Sequence, residues 1–189
     1  MALGASETYG TGAQPYTNGY AYRVARSLHA RRFLDLGIPG ATLDAAYQTE
    51  LTRALAAHPA LCTVFFGVND LRAGVTKDNF TAELYDLVAT LRRGGARVLI
   101  IGMPDLAELP AAQAFPDAGP ISRRWNAGMA RVARKAGAAF LDLSRFSHEL
   151  AAHPEYLAPD GLHPSTTGHA RLAQVVLAAI RADHLWVAG

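Results

Sequence analysis

Cysteine is almost absent. Cys62 is the one thiol in 189 residues, so no internal disulfide can form and a thiolate metal cluster has no ligands. It lies in the apolar run Leu61–Phe66, where a small buried hydrophobe is expected rather than a reactive thiol. An excess of one charge is also lacking. Eighteen Lys+Arg against sixteen Asp+Glu give a net charge of +2, which offers no binding field to nucleic acid or an anionic membrane. Pairs such as Arg31–Arg32 and Arg123–Arg124 read as solvated surface. No apolar stretch approaches the roughly 20 residues that span a bilayer, so no stable membrane insertion is expected. The start Met-Ala-Leu-Gly has neither the basic region nor the apolar segment of a secretory leader. The expectation is a cytoplasmic protein, or a mature form whose leader has been removed. Aromatic residues are 8% of the chain, with no row suited to stacking on sugars.

Half of the residues are hydrophobic and 18% are charged, the balance of a chain that buries an ordinary core. The length suits one domain over residues 1–189. Short apolar runs alternate with amphipathic segments throughout. The runs Ala2-Leu3, Arg32–Leu36, Leu61–Phe66, Val98–Met103 and Ala138–Leu143 are each followed by Gly, Pro or Asp, which suits strands buried on both faces. Between them, helical spacing places Tyr20, Val24 and Leu28 on one stripe, and Leu43, Tyr47, Leu51 and Leu55 on a second. Phe80, Leu84, Leu87 and Leu91 form a third, Trp125, Met129, Val132 and Ala136 a fourth, and Ala173, Val176, Leu177 and Ile180 a fifth. Thr42, Thr76 and Ser165 are placed to cap helix starts, and Gly94-Gly95 and Gly137 to end helices.

Strands alternating with helices imply right-handed βαβ units. The expected fold is a three-layer α/β/α sandwich on a five-stranded parallel sheet. Ligands of such sheets collect beyond the carboxyl ends of the strands. That nominates Gly4–Gly12, Gly37–Thr42, Gly67–Gly74 and Pro104–Pro120, together with Asp160–Pro164 before the last helix.

Four of these loops supply complementary chemistry. The first holds Ser6, a hydroxyl between strand and helix. The second holds Gly37, whose backbone N–H can approach a ligand, and the third holds the amide of Asn69. The last holds Asp160 and His163, three residues apart, so that the carboxylate can take the Nδ1 proton and leave Nε2 free as a base. Each loop alone is ordinary turn chemistry. As a set they are a nucleophile, an oriented base and oxyanion donors, the parts that acyl transfer requires.

Taken in order, Gly4-Ala5-Ser6, Gly37, Gly67-Val68-Asn69-Asp70 and Asp160-Gly161-Leu162-His163 resemble the four blocks of the SGNH hydrolases, the GDSL-type esterases and lipases. The resemblance runs from residue 2 to about residue 180 and implies a flavodoxin-like fold. It also implies Ser6 as nucleophile, His163 as general base and Asp160 as its orienting carboxylate. The Ser6 and Gly37 N–H groups and the Asn69 amide would form the oxyanion hole. One position departs from the pattern: Ala5 stands where the family has Asp, which bears on how firmly the loops are held rather than on a chemical role.

The expected activity is hydrolysis of small-molecule carboxylic esters, with short acyl chains favoured and no cofactor or metal required. Carbohydrate O-deacetylation and lysophospholipid or thioester cleavage are alternatives within the family, and a weakened ligand-binding module is one outside it. Ile38, Leu71, Leu106, Leu109, Phe115 and Leu162 are the expected substrate-binding side chains, and the long Pro104–Pro120 loop is the expected lid. His29, His58, His148, His153, His169 and His184 lack the close spacing of a zinc site. Asp105, Glu108 and Asp117 read as loop carboxylates without placed partners, and Gly10-Thr11-Gly12 lacks the Lys-Ser/Thr of a phosphate loop.

Overall fold

The apolar runs form four parallel strands, β1 (Ala2–Gly4), β2 (Leu61–Phe65), β3 (Arg97–Ile101) and β4 (Ala139–Leu141), hydrogen-bonded in that order. The helices are α1 (Ser6–Tyr9), α2 (Tyr20–Ser27), α3 (Leu43–Ala56), α4 (Val68–Arg72), α5 (Lys77–Arg93), α6 (Ala118–Ala136), α7 (His148–Ala152) and α8 (Thr166–Ala182). This is a computed structural model, and it describes every residue except 113, 114, 116 and 187–189.

Alternation along each strand divides the core into two layers. Leu61, Phe65, Leu99 and Ile101 face α2 and α8, where Tyr20, Val24, Val176 and Ile180 are buried against them. Cys62, Val64, Val98 and Ile100 face α3, α5 and α6, packing with Leu43, Leu84, Leu87 and Met129. Burial pushes the Cys62 thiol up to about 11, consistent with a packing role. The side chains of Thr42, Thr76 and Ser165 accept from Ala45, Asn79 and Gly168 N–H groups at the starts of α3, α5 and α8. Three of the scattered histidines, His29, His58 and His184, lie in the left-handed region just past helix ends.

The expected second strand, Arg32–Leu36, is reduced to a single parallel bridge between Asp35 and Ala2, so the sheet has four strands rather than five. Its ladder is interrupted, not absent. Ala2 N–H donates to Leu34 C=O, Leu36 N–H to Ala2 C=O, and Ile38 N–H to Gly4 C=O. The remaining rung would join Gly4 N–H to Leu36 C=O, but Gly4 donates instead to Glu50 Oε2 of α3 at 3.1 Å. A side chain from a helix thus takes the place of a strand carbonyl. The order around β1 remains that of a doubly wound sheet, with residues 34–36 on one side and β2 on the other. The chain therefore switches direction of winding at β1 and β2, and a crevice opens there.

Candidate active site

Both loops that leave the switch point turn directly into short helices. After β1 the chain passes through Gly4 and Ala5 into α1, which starts at Ser6. After β2 it passes through Gly67, at φ +133°, into α4, which carries Asn69 and Asp70. Tyr156–Ser165 folds back on itself to enter the same crevice. Ser165 N–H donates to Tyr156 C=O and Ala158 N–H to His163 C=O, both at 2.8 Å.

Ser6, Asn69 and His163 line one cavity of about 160 Å³, with Gly40, Arg72 and Leu162 also on its walls. Asp160 holds His163 and its turn in place with three hydrogen bonds. Its Oδ2 meets His163 Nδ1 at 2.6 Å, while its Oδ1 accepts from the Leu162 and His163 backbone N–H groups at 2.9 and 3.0 Å. Partial burial raises the Asp160 carboxyl, but these three bonds outweigh it and hold the group below the usual aspartate range. An ionised Asp160 fixes the Nδ1–H tautomer and leaves Nε2 as the basic nitrogen.

The Ser6 hydroxyl donates to Glu7 Oε2 at 3.2 Å, its one hydrogen bond among the described residues. Glu7 also lines the cavity. Sequence reasoning passed over this carboxylate, although its position next to the serine was the signal for it.

Asn69 is oriented by its neighbours. One of its amide N–H groups donates to Ala41 C=O at 3.0 Å, leaving the second available. Next to it, Asp70 is buried and its Oδ1 accepts from Leu43 N–H at 2.8 Å, tying α4 to the start of α3. Burial pushes the Asp70 carboxyl up despite that bond.

Gly37 does not occupy the place expected of it. Its N–H is taken by Asp35 Oδ1 at 2.9 Å, and it is not on the cavity wall. Its own requirement is steric, since a Cβ there would lie 2.4 Å from Tyr9 N. Gly40 reaches the cavity instead. It has φ +84°, open space around its Cα, and an N–H with no intramolecular partner among the described residues. The two glycines flank Ile38-Pro39, and the Asp35 side chain bonds the N–H of the first and not of the second.

The expected substrate-binding side chains divide. Leu162 lines this cavity, and both Leu162 and Leu109 line an adjoining one. Leu106 is a core residue of the α3–α5–α6 layer, and Leu71 packs against that layer. Ile38 and Phe115 are 40% and 60% exposed and line neither cavity. The expected Pro104–Pro120 lid contains short helical turns at Leu106–Glu108 and Pro110–Ala112, and α6 begins within it at Ala118; residues 113, 114 and 116 of it lie outside the described residues. Asp105 pairs with Arg123 at 2.6 Å. An aromatic row does exist, contrary to expectation: half-exposed Tyr9 and Tyr16 stack at 5.2 Å, and Tyr16, Tyr22 and Phe33 continue edge to face.

Among the described residues no helix is long and apolar enough to cross a membrane. The GDSL-like lipase/acylhydrolase family model matches residues 2–171. No curated protein matches the chain by sequence. Several solved structures share the fold. Esterase EstA from Pseudoalteromonas sp. superposes with a TM-score of 0.78 at 16% identity, covering 97% of this chain and 96% of that one. Axe2, an acetylxylan esterase from Geobacillus stearothermophilus, gives 0.78 at 21% identity over 95% and 92% of the two chains. A lipase/acylhydrolase from Enterococcus faecalis gives 0.76 at 20% identity over 96% and 94%.

Proposed function

The chain belongs to the GDSL-like lipase/acylhydrolase family, whose members are carboxylic ester hydrolases, and from that premise we propose that it cleaves short-chain esters through an acyl-enzyme on Ser6. The observation that carries this reading is the gathering of Ser6, Asn69 and His163 on one cavity wall, with Asp160 bonded to Nδ1 of the imidazole.

Ser6 Oγ leaves Glu7, passes its proton to His163 Nε2 and bonds to the ester carbonyl carbon. The carbonyl π pair moves to oxygen, where Ser6 N–H, Gly40 N–H and the free amide N–H of Asn69 receive it. Collapse breaks the C–O bond, and His163 returns the proton to the departing alcohol. Water then repeats the sequence and releases the acid. Hydrogen bonds of this kind tighten as substrate binds, which suits a serine that rests against Glu7. Each oxyanion donor is worth about 3–4 kcal/mol in the transition state. Replacing the family's Asp by Ala5 leaves every reacting group in place.

Mass spectrometry after treatment with a fluorophosphonate tests this directly. The adduct is expected on Ser6, with acetyl and butyryl ester turnover above a Ser6→Ala control. An intact Ser6 and no turnover would refute it.

A second reading is favoured by the half-exposed Tyr9–Tyr16 stack, whose first ring ends the helix that Ser6 begins. Such rings suit a sugar face, and the ester would then be a carbohydrate acetate. Release of acetate from an acetylated oligosaccharide, slowed by Tyr16→Ala, supports this version; equal rates refute it.

A further inference from the structure

A far larger cavity, of about 830 Å³, lies at the other end of the sheet from Ser6. It opens beside the amino ends of β1, β2 and β3, with Ala2, Leu61 and Arg97 on its wall. Doubly wound sheets hold their substrates at the carboxyl ends, and no residue of this wall also lines the catalytic cavity. The volume suits a small molecule, since cavities that enclose one run from about 300 to 1,000 Å³.

The lining is of two kinds. Val24 and Leu28 of α2, Phe33 and Leu34 after it, Leu61 and Trp186 supply hydrocarbon. The exposed part is basic, made by Arg31, Arg32 and Arg97 with the imidazoles of His29 and His58. Among the described residues no aspartate or glutamate lines the cavity, in a chain whose net charge is only +2. None of the three arginines has an ion-pair partner among those residues; Arg97 donates to His184 C=O at 3.0 Å. The Arg31–Arg32 pair is solvated, as its sequence suggests, but it borders an apolar hollow. The indole N–H of Trp186 is buried and has no partner among the described residues, which adds a donor to the wall. The carbonyl ends of α2 and α3, at Leu28 and Ala57, also reach the cavity. Each carries about −0.5 charge, and three guanidinium groups outweigh them.

A cationic rim on hydrocarbon walls selects an anion that carries a tail. A bare inorganic anion would leave the apolar walls in water, and an uncharged hydrocarbon would leave the guanidinium groups without a counter-charge. A carboxylate head matches a guanidinium face through two parallel bonds. We propose that this cavity binds a single-chain fatty carboxylate as a free monomer, its tail against Val24, Leu28, Phe33 and Leu61 and its head among Arg31, Arg32 and Arg97.

Isothermal calorimetry with sodium dodecanoate, kept below its micelle-forming concentration, tests this on the whole chain. One molecule is expected per chain, bound about tenfold or more tightly than dodecyltrimethylammonium, whose tail is the same. Arg31→Glu with Arg32→Glu is expected to weaken dodecanoate about tenfold, because each exposed charge contact is worth a few-fold and two are reversed. Acetyl ester turnover should not change in that variant. Ala25→Trp, which fills the cavity from α2, is expected to weaken both amphiphiles alike. Absent binding, or equal affinity for the two head groups, would overturn the proposal. Dodecanoate binding indifferent to the arginine reversals would do so too, because it would put the ligand elsewhere, in the catalytic crevice for example. Binding to equimolar phosphatidylcholine–phosphatidylglycerol vesicles with none to the monomer would make this face a lipid-surface contact instead. A dimer that the arginine reversals dissociate would make the occupant a second copy of the chain, and it too would refute the site.

Discussion

Asp35 Oδ1 accepts the backbone N–H of Gly37, two residues further along its own chain, at 2.9 Å. The bond takes up the Gly37 N–H, whereas Gly40, on the cavity wall with Asn69, keeps an N–H with no intramolecular partner among the described residues. The two glycines should therefore fail differently. Gly37→Ala drives a Cβ to 2.4 Å from Tyr9 N and is expected to lower the melting temperature. Gly40→Ala meets no atom within 4 Å, costs about 1–2 kcal/mol of left-handed strain, and is expected to reduce kcat more than stability. Thermal melts beside initial rates for both variants decide the matter.

Asn69→Ala removes a donor whose orientation is fixed by Ala41. A fall in kcat of about 10²–10³-fold with little change in KM is expected. A variant that changes KM alone would show that the amide binds ground state and transition state equally.

His169 is fully buried in α8, its Nδ1 accepting from Tyr20 N–H at 3.1 Å and its Nε2 donating to Thr11 C=O at 2.9 Å. Burial pushes its pKa down. The unfolded chain then binds the proton more readily, so stability is full above the unfolded value of about 6.5 and is lost as pH falls below it. Urea unfolding at pH 7.5 and 5.5 should show the loss. His169→Phe should lessen it, while costing about 1–3 kcal/mol at pH 7.5 for the stranded backbone groups.

Glu50 acts with the opposite sign. Burial is the main cause that pushes its carboxyl up to about 8, against the bond from Gly4 N–H, with Asp35 adding to the rise and Arg53 opposing it. The folded state prefers the protonated acid, so its contribution to stability is present below about 4.5 and lost as pH rises towards 8. Glu50→Gln is expected to gain stability relative to the unmodified protein between pH 5 and 8.5. The gain is read as the difference between the two denaturation curves at each pH, which cancels the His169 effect.

Strands β2, β3 and β4 and the five long helices were legible because their periodicity is local. The edge strand was not, because its missing rung is satisfied by Glu50 from a helix 46 residues away in sequence from Gly4. The blocks holding Ser6, Asn69, Asp160 and His163 could be found by order and spacing, since each lies just past a strand or before a helix. That the Gly37 N–H is taken up while the Gly40 N–H is not depends on where the Asp35 side chain turns. Phe115 and Ile38 have the composition of pocket residues but are exposed, and the apolar cavity adjoining the site is assembled mostly from α7, α8 and the turns around them.

Asp160 grips both the ring and the main chain of His163 within a single four-residue turn. Acid and base therefore travel as one piece whenever that turn shifts. What has to be kept in register is a single gap, from this pair to the serine across the crevice, rather than three independent separations. A breathing motion of the turn would switch the chemistry off without disordering it, and recovery would require only that one gap to close.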